Sequence, residues 1–182
     1  MKLIVSRELS ALRPVMMEPE ASGPDPVYRV FSDLEIPGWR SKTVLEPGRL
    51  GKEFPKTFGH YHTVNTVETY AIVSGEGVVT LQKKDAGEVL LVFVRAGDRV
   101  PVPAGFGHSL SNTGQEELVA LDDWEERNAE DYLPIKDKHG MAYYLTEENG
   151  KVTAKPNPNY SGAADPKWLT ADQLRTYGKT NR

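Results

Sequence analysis

Between Gly59 and Gly77 the chain reads GHYHTVNTVETYAIVSGEG, and this stretch limits what the rest can fold into. His60 and His62 stand two apart, so on a strand both imidazoles project from the same face. Glu68 and Tyr70 repeat that spacing, and Ala71–Val73 continue the strand. A second stretch, GDRVPVPAGFGHSLSNTG from Gly97 to Gly114, supplies His108. The chain has four histidines in all, and three of them fall in these two stretches. His139, the other one, sits in a Lys-His-Gly turn and reads as a surface residue.

Strand and turn signals surround both stretches. Residues 41–50, SKTVLEPGRL, read as a strand that ends at the Pro47–Gly48 turn. Gly75 and Gly77 mark a tight turn. Strands are expected at Gly77–Gln82 and Glu88–Val94, with the charged turn Lys83–Gly87 between them. Pro101 and Pro103 suit an extended segment at a barrel mouth better than a central strand. His108–Ser111 and Glu117–Leu121 complete the series, and no helical periodicity occurs before residue 125. Short strands separated by Gly- and Pro-rich turns predict an antiparallel sandwich or barrel.

Further on, Glu125–Tyr132 is expected to form a turn of helix. Asn149–Gly150 predicts a hairpin between Met141–Thr146 and Lys151–Ala154. Thr170 to Gln173 fits a capping box that opens a short helix reaching about Tyr177. Residues 1–40 read as an N-terminal arm, irregular apart from a strand at Val27–Phe31. Residues 41–158 read as the β domain with its closing hairpin, and residues 159–182 as a C-terminal tail.

Composition narrows the chemistry. With no cysteine in 182 residues, disulfides, thiolate ligands and cysteine nucleophiles are excluded. Three neutral imidazoles and one carboxylate are a donor set for a divalent transition metal that keeps open positions. The net charge is −4 with scattered basic residues, which argues against nucleic acid as a partner. An anionic substrate therefore needs locally placed donors. No apolar run approaches the roughly 20 residues of a membrane helix, and Leu3–Val5 is too short for a signal peptide. A cytoplasmic protein without membrane contact is expected.

The two stretches resemble the paired motifs of the cupin superfamily. Gly97, Pro103, Gly105, His108 and Asn112 match the second motif at every position. In the first, Phe54 stands where the family opens with Gly, and the five residues between His62 and Glu68 exceed the usual gap. Thr43-Val44-Leu45-Glu46-Pro47-Gly48, Gly51-Lys52-Glu53-Phe54 and Thr57-x-Gly59-His60-x-His62 further resemble the cupin-type phosphoglucose isomerases, best known from archaea. Glu68-x-Tyr70, Gly75-x-Gly77, Asp131-Tyr132 followed by Ile135, EENGK at 147–151 and Asn157-Pro158 extend the likeness over about residues 40–158.

The resemblance implies an all-β cupin barrel (a double-stranded β-helix or jelly roll) with an N-terminal arm and a short C-terminal helix. It implies one divalent transition metal per chain (Fe, Mn, Ni, Zn or Co) on His60, His62, Glu68 and His108. It implies a homodimer that interconverts glucose 6-phosphate and fructose 6-phosphate in glycolysis and gluconeogenesis. On a cis-enediolate route Glu68 would carry the proton, with Tyr70 beside it; a metal-assisted hydride shift, which the sequence leaves open, would not need that base. Thr43, Thr57, the Gly59 amide and Tyr132 would hold the phosphate, with charge added by Lys52 or Lys56. Two pocket positions depart from the family: Trp124 where it often has Tyr, and Glu130 where it often has His. A cupin metal dioxygenase and a non-catalytic sugar-binding cupin are the competing readings of the same donor set.

Overall fold

The computed structural model describes residues 1–125 and 129–177. The strands in chain order are β1 (Lys2–Arg7), β2 (Tyr28–Ser32), β3 (Ser41–Leu45), β4 (Tyr61–His62), β5 (Glu68–Ser74), β6 (Glu76–Lys83) and β7 (Val89–Arg95). They continue with β8 (Arg99–Val102), β9 (Phe106–Asn112), β10 (Leu118–Asp122), β11 (Glu130–Asp131), β12 (Tyr143–Glu148), β13 (Lys151–Pro156) and β14 (Lys167–Thr170). Three short helices are α1 (Leu9–Leu12), α2 (Leu133–Asp137) and α3 (Ala171–Tyr177).

Two sheets form the framework. One has six strands in the order β1-β2-β3-β10-β5-β8, and the other has four in the order β14-β7-β6-β9. β14 runs parallel to β7, so the four-stranded sheet is mixed. The all-β class and the short C-terminal helix are as expected. The closed barrel is not: among the described residues the sheets stay open, and no ladder joins them. Two features keep them apart. Pro101 and Pro103 remove N–H donors from β8 and its continuation, which leaves a poor template for a further strand. The free edge of β9 meets the 55–60 segment only through isolated bridges, Lys56–Ser111 and His60–His108. Between those bridges the Thr57 hydroxyl, not a backbone carbonyl, accepts the Leu110 N–H at 3.0 Å. A side chain thus satisfies the donor that an uninterrupted ladder would have paired.

The main core lies between the sheets and includes Leu45, Ile72, Val79, Leu81, Val92, Leu110 and Leu118. β6 is central and buried on both faces. Val78 and Leu91 face away from the main core into a second cluster with Phe54, Ala142 and Leu145, so the β12–β13 hairpin covers the outer face of this sheet. The hairpin turn is as predicted. Asn149 and Gly150 have φ of 52° and 72°, the paired positive values of a tight two-residue turn. The capping box also forms: Gln173 N–H donates to Thr170 Oγ1 at 3.2 Å, and Thr170 N–H donates to Gln173 Oε1 at 2.8 Å.

Local signals missed several elements. β1, α1 and the 3-10 turn Arg13–Val15 lie in the segment expected to be irregular, α2 follows where no helix was expected, and β14 begins in an expected loop. Of the helical turn expected over Glu125–Tyr132, residues 126–128 lie outside the described residues, and Glu130–Asp131 is strand paired with β4. The last residues of the expected tail, 178–182, also lie outside them. No described helix is long and apolar enough to cross a membrane.

Asn112 closes the loop between β9 and β10. Its buried amide donates to Leu45 O at 3.0 Å and Glu116 O at 2.8 Å, and its carbonyl accepts Gly114 N–H at 3.0 Å. Asn112→Ala removes all three of these bonds to the backbone. The expected loss is about 2–3 kcal/mol of unfolding free energy, read from urea denaturation of both proteins.

Candidate metal centre

Three strands from different parts of the fold bring the predicted ligands together. On β5 burial alternates, and Glu68, Tyr70 and Ile72 all point inward. His108 comes from β9, and His62 from β4. His60 just precedes β4 and is locked to His108 by a reciprocal backbone pair. His60 N–H donates to His108 O at 3.2 Å, and His108 N–H donates to His60 O at 3.0 Å. Residues opposed in this way present their side chains on one side. The two rings accordingly meet with centroids 4.3 Å apart. Gly59 sets the entry to this pair with φ +83°, in the region that L side chains avoid. A Cβ there would meet His108 O at 3.2 Å and Met141 Sδ at 3.3 Å.

One ligand atom from each of His60, His62, Glu68 and His108 lies within 4.8 Å of all the others. Glu68 Oε2 is 3.1 Å from His108 Nε2 and 3.2 Å from His62 Nε2. These contacts lack hydrogen-bond alignment, and the Nε2 atoms of all three histidines and Glu68 Oε2 are buried without hydrogen-bond partners. Each such orphaned atom costs about 1–3 kcal/mol. Four of them converging on one point is the arrangement that a cation would satisfy. The electrostatics agree. Burial foremost, with a second imidazole, His108, beside it, holds the His60 imidazole well below its usual range, so it is neutral with a lone pair available. Burial pushes Glu68 up, but the surrounding imidazoles, His108 foremost, outweigh it and hold the carboxyl well below the carboxylate range. Neutral imidazole and ionised carboxylate are the forms that ligate. Trp124 stacks flat on the His62 ring, with centroids 3.6 Å apart and planes 5° from parallel, which fixes the plane of that imidazole.

The cluster opens into a cavity between the sheets. Thr43, Thr57, Gly59, Tyr70 and Tyr132 all line it, as do Trp124 and Glu130. Tyr70 is buried and keeps its proton, because burial and then the Glu68 charge push its phenol well above the usual value. The Tyr132 hydroxyl donates to the Glu130 carboxylate. Burial and that bond keep it protonated too. The two lysines expected to add charge lie elsewhere. Lys56 is buried, pairs with Glu53 and donates to Val15 O at 2.7 Å. Exposed Lys52 sits 3.7 Å from Glu18. Sequence reasoning missed Arg7, Tyr28, Ser41 and Asp122, which also line the cavity. Only the spacing of Val5 and Arg7, two apart on one strand face, hinted at the first of these.

A family profile described as glucose-6-phosphate isomerase (GPI) matches residues 39–161. The chain is 32% identical over 169 residues to a glucose-6-phosphate isomerase of Thermococcus litoralis, covering 85% of this chain and 86% of that one. It is 34% identical over 171 residues to one from Thermococcus gammatolerans, covering 86% and 87%. Among solved structures it is similar to the capsular polysaccharide assembling protein CapF from Staphylococcus aureus. That likeness has a TM-score of 0.46 and 21% identity, over 60% of this chain and 32% of that one.

Gly59→Ala tests how tightly the backbone positions the cluster. A left-handed alanine with three contacts to relieve, Ser109 Cβ at 3.3 Å being the third, is expected to lose about 1–2 kcal/mol of stability. It is also expected to weaken metal affinity by displacing His60, which thermal unfolding and metal titration of the same protein measure separately.

Proposed function

This chain belongs to the archaeal-type, cupin-fold glucose-6-phosphate isomerase family, and on that premise we propose that His60, His62, Glu68 and His108 hold one divalent transition metal per chain at the reacting end of its sugar phosphate. The activity is that of the family: aldose–ketose isomerisation between glucose 6-phosphate and fructose 6-phosphate. The dioxygenase and non-catalytic readings give way to it. The observation that carries the metal proposal is the convergence of four buried ligand atoms without hydrogen-bond partners. The donors suit Fe, Mn, Ni, Zn or Co. When bound, such an ion supplies Lewis-acid stabilisation of the negative charge that develops on the sugar oxygens.

The chain's own residues supply the rest. Isomerisation moves a hydrogen between C2 and C1 and exchanges a hydroxyl for a carbonyl. Glu68 is ionised and lines the cavity. A carboxylate held as a ligand is a weak base, so on the enediolate route Glu68 has to loosen from the ion to take the proton from C2 and return it at C1, whereas a hydride shift would not use it. Tyr70 projects from the same strand face and stays protonated, so it can donate to a sugar oxygen as charge develops there. For the phosphate we propose Thr43, Thr57, the Gly59 amide and Tyr132. One observation supports this cradle: among the described residues no group accepts the Gly59 N–H. Thr57 Oγ1 accepts the Leu110 N–H and lies 3.4 Å from Ser109 Oγ, so its hydroxyl has to turn from Ser109 to donate to a ligand. Tyr132 has to turn from Glu130 to join them. A cytoplasmic location and a homodimer complete the proposal. The absence of cysteine supports the first, and the exposed Leu3 and Ile4 on edge strand β1 support the second.

Three measurements test it. Chelation should abolish conversion of fructose 6-phosphate to glucose 6-phosphate, and adding back a divalent metal should restore it. His60→Ala should lose bound metal and activity together, and full activity of the metal-free protein would remove the metal from the reaction. Glu68→Gln should lower kcat by at least about 100-fold while metal-loaded protein still binds the sugar phosphate. A variant that turns over nearly as well as the parent would reassign the base.

A further inference from the structure

The cavity is charged in a way the phosphate cradle leaves unexplained. Carboxylates of Glu68, Asp122 and Glu130 line it, and among the described residues Arg7 is the one Lys or Arg that does. A phosphate monoester near neutral pH carries a charge of about −1.5 to −2. Hydroxyls and a backbone amide offer it no net charge, and nearby carboxylates oppose it. Arg7 is half-buried at the end of β1, opposite Tyr28 in the ladder. Its Nε donates to the Tyr28 hydroxyl at 3.2 Å, and the Phe58 N–H donates to that same oxygen at 3.4 Å. The guanidinium carbon lies 5.6 Å from the centre of the Phe58 ring. Phe58 stands between Thr57 and Gly59, and its ring packs edge-on against Tyr132 at 5.7 Å. One chain of contacts thus ties Arg7 to the segment carrying the proposed cradle. Among the described residues no carboxylate pairs with it, so the two terminal nitrogens keep their donors for a ligand.

We propose that Arg7 binds the phosphate of the substrate and makes the site prefer phosphorylated over neutral sugars. The proposal rests on the isomerase reading of this cavity and adds a determinant from the first strand, outside both histidine stretches. Tyr28 is the positioning residue that holds the guanidinium through Nε.

The test compares metal-loaded parent, Arg7→Ala, Arg7→Lys and Tyr28→Phe, each checked for parental metal content and thermal unfolding. The expected result for Arg7→Ala is a KM for fructose 6-phosphate raised about 10–100-fold with kcat within about threefold, the loss of a charge-assisted contact. The inhibition constant of inorganic phosphate should rise in parallel. Arg7→Lys, which keeps a point charge, should fall between. Tyr28→Phe should raise KM by less than Arg7→Ala. Calorimetric titration with inorganic phosphate reads the same contact without turnover. A parent that binds phosphate through Arg7 but isomerises nothing would therefore sink the isomerase reading and spare Arg7. Parental KM and phosphate affinity in Arg7→Ala, or a fall in kcat alone, would overturn the proposal.

Discussion

The backbone pair between His60 and His108 joins the two halves of the site. It sits where the 55–60 segment crosses the free edge of β9, and the neighbouring bonds repeat the connection: Asn112 N–H donates to Pro55 O at 2.9 Å, and Thr57 N–H donates to Leu110 O at 2.8 Å. Because these are backbone bonds, they set the height of His60 and His62 relative to His108 whatever their side chains do. Glu68 then approaches from β5 in the other sheet, and the core between the sheets holds the two sides at a fixed separation. The cluster is therefore a property of how the sheets meet, and its geometry is only as firm as that contact.

The interior treats polar groups in two ways. Away from the site, Gln82, Asn157 and the Glu53–Lys56 pair are well partnered. Gln82 donates to Tyr61 and Tyr160 and accepts Ala142 N–H at 2.7 Å, and Asn157 holds Lys138 O and Met141 O at 2.8 and 2.9 Å. The buried Glu53–Lys56 pair also takes Met17 N–H and Val15 O, and so binds the N-terminal segment to the chain that leads into the histidines. At the site the pattern reverses, and four ligand atoms converge unpartnered. Groups arranged this way oppose folding until something coordinates them, which is why cation binding and stability are expected to be linked at this centre.

The cavity combines groups of different character. Imidazoles and Glu68 line it with Tyr70, and so do Thr57, Gly59, the aromatic rings of Tyr28, Phe58 and Tyr132, and the guanidinium of Arg7. Tyr132 joins the two sets, because its ring packs against Phe58 at 5.7 Å and His60 at 5.1 Å. Trp124 closes the cavity over His62, where a flat apolar ring both orients the imidazole and excludes water from it.

What the sequence determined by itself is chemistry carried by short spacings. Glu68 two before Tyr70, the Asn149–Gly150 turn and the Thr170–Gln173 box each depend on neighbours a few residues away, and each formed as read; of the His-x-His pair, His62 lies in a strand and His60 just before it. The cation at the cavity was misjudged because Lys52 and Lys56, near the histidines in sequence, turn to Glu18 and Glu53, while Arg7 arrives from the first strand. Ser41 reaches Asp122 across 81 residues, and no local signal records such a meeting. The same distance effect governs the sheets. Whether strands close into a barrel depends on every edge finding donors in register, and two prolines at β8 and interrupted bridges along β9 decided otherwise. Donor sets can be read from residue type and spacing. Long-range pairing, which the tertiary structure alone sets, decides which groups share a cavity and whether a sheet closes.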